Sequence, residues 1–399
     1  MKRKFVIILI LMLTYFSLVS YTFGESGDSG ASNEDAEAEL SQNVEEIVDN
    51  LDLSDLEEYL ASLSGSQLAL LGSGSIRERI KRAISGELGA DYSSFFTYIV
   101  EVMGINLVNY MPMLISVITI AIAYNLLCSL RSKLASESVR NVIYFACAAL
   151  LVILLFTQVF AVIKTVQSLI NNLQRQMDII FPILLTLMTA VGAESSVAVY
   201  QPGVAILSGG ITELVTVIIL PAFIISLVLT AIGNLSDGVK LGKLSDFFSS
   251  GAKWLLGTAF FLFSAFMGVQ GITASVYDGV SVRTAKFALS KYVPIIGGYL
   301  SDGLNLVMSG SVLVKNALGT TAMVIILASV IPSLIQIVVL SLGLRLSGAI
   351  IEPLGDERMS GLVSSIGKNL TLLVAIVLAV AFLYFIFLVL IVCTGNLAL

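Results

Sequence analysis

The chain lacks histidine altogether and has few cysteines (three), prolines (seven) and tryptophans (one); only 13% of its 399 residues are Asp, Glu, Lys or Arg. Each shortage excludes something. Without histidine, the usual acid/base near neutral pH and the commonest metal ligand are gone. Cys128, Cys147 and Cys393 fall in or at the ends of apolar runs, at spacings that match no metal site. They read as buried structural thiols. The scarcity of charge excludes an ordinary soluble domain, which needs about a quarter of its residues charged to face water. Gly209-Gly210 and Gly297-Gly298 are not phosphate loops, because neither is followed by Gly-Lys-Ser/Thr. No nucleophile motif, metal cluster or paired catalytic carboxylate is visible. We therefore expect no enzyme, no cofactor and no nucleic-acid partner.

What the chain has instead is apolar residue, 57% of it, and an uneven distribution of charge. Between Glu25 and Val108 stand 17 acidic and 4 basic residues; from Asn109 onward, 11 acidic and 15 basic. The net charge of −6 averages two different regions. Lys2, Arg3 and Lys4 followed by apolar Phe5–Phe16 and Thr22-Phe23-Gly24 have the pattern of a secretory signal over residues 1–24, cleaved after Gly24 or retained as an anchor. An acidic extracytoplasmic segment, 25–108, follows. Its first residues, 25 to about 40, are small, acidic and polar and are expected to be disordered. Val44, Ile47, Val48, Leu51, Leu53, Leu56 and Leu60 then recur at helical spacing. Ile76–Ile84 (IRERIKRAI) is a short basic amphipathic helix for a membrane surface, a partner or a small solvated domain. Tyr98–Val108 leads into the membrane.

Residues 109–399 form a polytopic membrane domain. Tyr110–Leu127, Val142–Ile163, Ile211–Ile232, Trp254–Val276, Thr321–Leu342 and Leu370–Cys393 are apolar runs long enough to cross a hydrocarbon core of about 30 Å. Two more stretches either span or dip in and return: Ile179–Tyr200, which carries Glu194, and Gly-rich Val293–Leu313, which carries Asp302 and Asn305. Hence the expected fold is all-α, a transmembrane helix bundle of six to eight spans. The short basic segments Lys164–Asp178 and Arg283–Lys291 are expected in the headgroup region.

The chain also resembles itself. FPILLTLMTA around Pro182 corresponds to VPIIGGYLSD around Pro294, the segment around Pro221 to that around Pro332, and Ser249-Ser250 to Ser364-Ser365, at offsets of 112, 111 and 115. Two units, 178–276 and 290–393, would follow two leading spans in 109–163. Three spans per unit make the units inverted; two make them parallel. The distribution of Lys and Arg does not choose, since both counts leave nine inside and six outside; Arg131–Arg140 is cytoplasmic in either. Pro221 and Pro332 each lack an N–H and free a carbonyl one turn earlier, so they mark a hinge, a pathway or a packing kink. Glu194 and Glu213 are the acids nearest apolar stretches. A carboxylate at mid-bilayer costs roughly 3 kcal/mol and usually marks an ion or substrate path. Both, however, flank the polar, Gly-rich stretch Gln201–Gly210 and also suit a solvated turn. An intramembrane protease would need two acids facing each other on adjacent spans, and no such pair is evident.

The combination of signal, acidic exported segment and a polytopic region containing Lys291-Tyr-Val-Pro-Ile-Ile-Gly-Gly-Tyr-Leu-Ser-Asp302 resembles stage III sporulation protein AE of endospore-forming bacteria. Tyr292, Pro294, Gly297, Gly298 and Asp302 carry the most specific part of the likeness. The resemblance implies an integral component of the SpoIIIA complex, in the mother-cell membrane around the engulfed forespore. Its N-terminal segment would face the intermembrane space. Implied partners are the other membrane proteins of that complex, the operon's cytoplasmic ATPase and, indirectly, a forespore membrane protein, together forming a channel or secretion-like apparatus. A stand-alone secondary transporter or channel for a small solute or ion is the alternative, motivated by the proline-broken spans and by Glu194 and Glu213.

Overall fold

The computed structural model describes residues 34–63, 67–68, 74–85, 92–130, 137–235, 240–292, 297–354 and 357–394, so the expected signal peptide lies outside it. Among the described residues the regular elements are helices: α1 (Glu34–Asn50), α2 (Ser54–Ala61), α3 (Ile76–Ile84), α4 (Tyr92–Leu130), α5 (Glu137–Ala190), α6 (Glu194–Ala205), α7 (Leu220–Leu235), α8 (Gly242–Tyr292), α9 (Gly297–Ile351) and α10 (Glu357–Cys393). Two π-helical segments, Ile206–Ile211 and Leu214–Ile219, join α6 to α7.

Six helical stretches are long and apolar enough to cross a membrane: Phe96–Leu127, Val139–Ala190, Glu194–Leu235, Gly242–Ala288, Ser301–Ile351 and Glu357–Cys393. The protein is a multi-pass membrane protein. Each stretch contains one of the six clear apolar runs, and the two ambiguous segments make no separate span. Ile179–Ala190 continues α5, and the chain reverses at Val191–Ala193, where Gly192 adopts φ +80. From Gly297 the second ambiguous segment is simply the beginning of α9. Helices α5, α8 and α9 have 54, 51 and 55 residues, about 80 Å each at 1.5 Å per residue, far more than a bilayer needs. On α5 the exposed face shows where the excess lies. It is apolar at Val142, Phe145, Leu150, Ile153 and Phe160, and polar at Lys164, Gln167, Asn171, Asn172 and Arg175. Lys164–Asp178 and Arg283–Lys291 are therefore not helices lying in the headgroup plane. They are uninterrupted continuations of α5 and α8, because nothing in either sequence breaks the helix.

Helix α10 is the axis of the bundle. Beyond Thr371 it is apolar on all sides, as suits a helix enclosed by other helices or by lipid; 61% of its most apolar window is buried, against 24% for α8. It pairs antiparallel with α9, and α4, α5, α7 and α8 surround the pair. Small residues let the two backbones approach, as membrane helices require where water supplies no drive for association. Ser360 Oγ donates to the Gly348 carbonyl (2.8 Å) and Ser341 Oγ to that of Gly367 (2.7 Å). A Cβ on Gly348 would stand 2.1 Å from Ser364 Oγ.

The start of α5, the end of α7 and the start of α10 meet at one end. There the Tyr144 hydroxyl donates to the Asn234 carbonyl (2.6 Å), and the Arg358 guanidinium lies 5.7 Å from the centre of the Tyr144 ring. We call this the hairpin end.

Helices α1–α3 dock at the other end, against the first half of α9. Val44, Val48, Leu53, Leu56, Leu60, Ile76 and Ile80 are buried, so most of the residues seen at helical spacing do form one face. Asp52 interrupts α1 and α2, accepting from the Ser54 N–H and hydroxyl (3.2 and 2.6 Å). Arg77 of α3 donates to the carbonyls of Val48 and Leu51 (2.6 and 3.1 Å), filling acceptors left open at the end of α1. Ser75 and Glu78 start α3 with a reciprocal capping box. The expectation of disorder up to residue 40 fails from Glu34, where α1 begins. Acids at the N-terminus of a helix are favourable to its dipole, so the composition that suggested disorder also suits a first turn. The buried-thiol reading fails at Cys393, which is exposed; Cys147 is half-buried, and the Cys128 side chain lies outside the described set.

Candidate functional site

Polar side chains enter the apolar bundle along one seam, on the face that α10 turns toward α5, α6 and the π segments. The Tyr384 hydroxyl lies 2.8 Å from Thr212 Oγ1, which sits between the two π segments. Three turns further along α10, Thr394 Oγ1 lies 2.8 Å from the Tyr200 hydroxyl. Between them Phe387 meets Phe181 edge-on with ring centres 4.7 Å apart and Tyr200 at 5.7 Å. Gln176 of α5 donates to the Ala322 carbonyl of α9 (3.0 Å), and Ser208 Oγ to Asp178 of α5 (2.5 Å). The seam is needed because a buried hydroxyl or amide without a partner costs free energy in a medium that offers no water. Filled by aromatic rings, it is a packed core in which most polar groups are paired across helices, the Gln176 carbonyl oxygen being left without a partner.

Two buried charges close helix ends beside this seam. Asp278 of α8, 2% exposed, accepts from the backbone N–H groups of Ser195 and Ser196 (2.8 and 2.9 Å), at the start of α6. Lys315 of α9, fully buried, donates to the Thr394 carbonyl at the end of α10. A carboxylate at a helix N-terminus and an ammonium at a C-terminus both complement the helix dipole.

The residues singled out from sequence fall elsewhere. Glu194 opens α6 and Glu213 sits between the π segments; both are exposed. They lie 19 residues apart on one helical stretch, about 28 Å along its axis, so they form no common site. Pro221 is the second residue of α7, half-buried, immediately after a π segment. A widened turn there is one of the local adjustments by which a membrane helix accommodates proline. Pro332 stands half-buried inside continuous α9. Tyr292 ends α8, Gly297 and Gly298 open α9, and Asp302 is exposed in its first turns; Pro294 lies outside the described residues. Among the described residues no group of three His, Cys, Asp or Glu stands together to hold a metal. Sequence reasoning missed Tyr200, Thr212, Tyr384 and Asp278. A signal existed for Tyr384, the one strongly polar side chain between Thr371 and Cys393.

A family model described as stage III sporulation protein AE matches residues 75–395. Stage III sporulation protein AE of Bacillus subtilis (strain 168) is 26% identical over 270 residues, 68% of each chain. No solved structure matches. The matched region starts at the cap of α3 and ends just past α10, so it includes the whole six-helix bundle. The chain belongs to the stage III sporulation protein AE family.

Proposed function

We propose that this chain is a membrane component of the SpoIIIA complex, placed in the mother-cell membrane with α1–α3 in the space between mother cell and forespore. Family membership supports the sporulation role. The observation that carries the placement is the difference between the two ends of the bundle. Among the described residues, Arg140, Lys240, Lys243, Lys253, Arg345, Arg358 and Lys368 lie within about three turns of the hairpin end, against Glu137, Asp246, Glu352 and Glu357. An excess of Lys and Arg marks the cytoplasmic side. The opposite end carries α1–α3 and would face out. Two helices in each of the units 178–276 and 290–393 would make a duplication parallel.

In this reading the protein is a structural or conducting part, working with the other membrane proteins of the complex, the cytoplasmic ATPase and, indirectly, a forespore membrane partner. A clean deletion in the host is expected to stop sporulation after engulfment. Heat-resistant spores at wild-type numbers would overturn the reading. The stand-alone transporter draws no support from Glu194 and Glu213, which do not converge.

A further inference from the structure

An open cleft of about 600 Å³ lies at the hairpin end, where the end of α7, the start of α8 and the first turns of α10 meet. Its floor is a fixed polar network. Asn369 Nδ2 donates to Thr230 Oγ1 (2.8 Å), and Thr230 Oγ1 lies 2.7 Å from Ser245 Oγ. The Ser226 carbonyl lies 2.9 and 2.8 Å from the two hydroxyls, so one of them donates to it while the other donates across the pair, and the floor satisfies itself within the protein. Its walls carry the exposed ammonium groups of Lys240 and Lys368, opposed by the single carboxylate of Asp246. The wider surroundings share that sign, with seven basic against four acidic described residues at this end. Ammonium groups only donate hydrogen bonds, and a second amide hydrogen remains on Asn369. A ligand made of acceptors alone, with negative charge, complements such a wall. Exposed Leu244 and Phe247, the latter 70% exposed, lie next along α8 and put the cleft at the level where an apolar surface gives way to headgroups.

We propose that this cleft binds a phosphate group, held between Lys240 and Lys368. A phosphate suits the volume, accepts through all its oxygens and is a habitual ligand of lysine. Two sources share this chemistry: the headgroup of an anionic phospholipid in the same leaflet, and a free phosphorylated anion. The site is independent of the sporulation reading and is tested on the purified full chain.

The test follows unfolding temperature in detergent during titration with short-chain phosphatidylglycerol, short-chain phosphatidylcholine and inorganic phosphate. A saturable rise is expected with phosphatidylglycerol and not with phosphatidylcholine. The doubly substituted Lys240→Ala/Lys368→Ala protein should lose about tenfold or more in affinity. The control Lys243→Ala/Lys253→Ala removes equal charge outside the cleft and should stay within about twofold, since distant exposed charges are screened. Asp246→Asn, which removes the competing carboxylate, should bind more tightly. A response to inorganic phosphate alone assigns the site to a soluble anion; a response to the lipid alone assigns it to a headgroup. Absence of any response, equal loss in the control, or no gain in Asp246→Asn would overturn the proposal.

Discussion

At the scale of residues, the bundle relies on a few polar side chains whose partners come from distant parts of the chain. Asp278 meets the start of α6 across 83 residues, and Lys315 meets the end of α10 across 79. Substituting Asp278→Asn keeps the shape but leaves an N–H facing an N–H. A loss of about 1.5–3 kcal/mol is expected, as for hydrogen bonds to a charged group, measurable by unfolding in mixed detergent micelles. Unchanged stability would mean that the α6 cap is dispensable. Lys315 stands out in the sequence as a lone charge among apolar residues, yet nothing local reveals which helix end it meets. Such pairings belong to tertiary structure, and a single sequence does not display them.

The N-terminal helices α1 and α3 offer a pH-dependent contact. Glu45 and Lys81 are joined at 2.7 Å. This bond holds the Glu45 carboxyl below its usual range and the Lys81 ammonium above its own. The carboxylate therefore contributes stability above its unfolded pKa, and the contribution is lost as pH falls through the lowered folded value. The ammonium's share is present below its unfolded pKa and is lost as pH rises through the raised folded value. The α1–α3 contact should weaken below the ordinary Glu range and again in strong alkali. Glu45→Gln should flatten the acid limb of thermal stability followed by circular dichroism. An equally steep limb in that variant would reject the pair as its source.

Elements were the most legible scale. The six apolar runs mark the six long helices, and the helical spacing from Val44 to Leu60 marks α1 and α2. The Ser-Ser landmarks Ser249 and Ser364 stand seven residues into α8 and α10. What the sequence hid was continuity. Polar stretches after a span read as loops or surface helices, yet Lys164–Asp178 and Arg283–Lys291 extend α5 and α8 in one piece. Charged residues are good helix formers, and water tolerates a helix as readily as a loop. Of the readings open for Pro221, hinge, pathway or packing kink, the π segment that ends at Ile219 fits a defect taken up locally.

Contact between elements is most sensitive where α9 and α10 touch. Gly348→Leu would drive a side chain into Ser364 and the Ser360 carbonyl, forcing the helices apart. The expected cost is about 1–3 kcal/mol, the range for overpacking. Gly104→Leu is the matched control, because nothing lies within 4 Å of a Cβ there. The fraction of each variant that elutes as a single species from size exclusion in detergent checks the difference. Equal recovery of the two would show that α9 and α10 do not need their close approach.

For the whole molecule the open question from sequence was the number of crossings, since six and eight spans divide the basic residues equally. Six spans put Lys243 and Glu357 on one side and Gln201 and Asp302 on the other. Eight would separate Lys243 from Glu357. Single cysteines at these four exposed positions, in a chain freed of Cys128, Cys147 and Cys393, should label in those two pairs with a membrane-impermeant maleimide. Labelling of Lys243→Cys from the side that reaches Asp302→Cys would refute the six-span arrangement.

Helices α1–α3 bury their apolar face on α9, which is made more than 200 residues later. If α1–α3 are exported as proposed, they have no core to complete during synthesis until the fifth span arrives. A chain with one span inserted wrongly would then present the start of α9 on the other side and leave Val48, Leu56 and Ile80 uncovered. In that placement, the docking of α1–α3 on a late helix would make their burial depend on correct insertion of the spans before it.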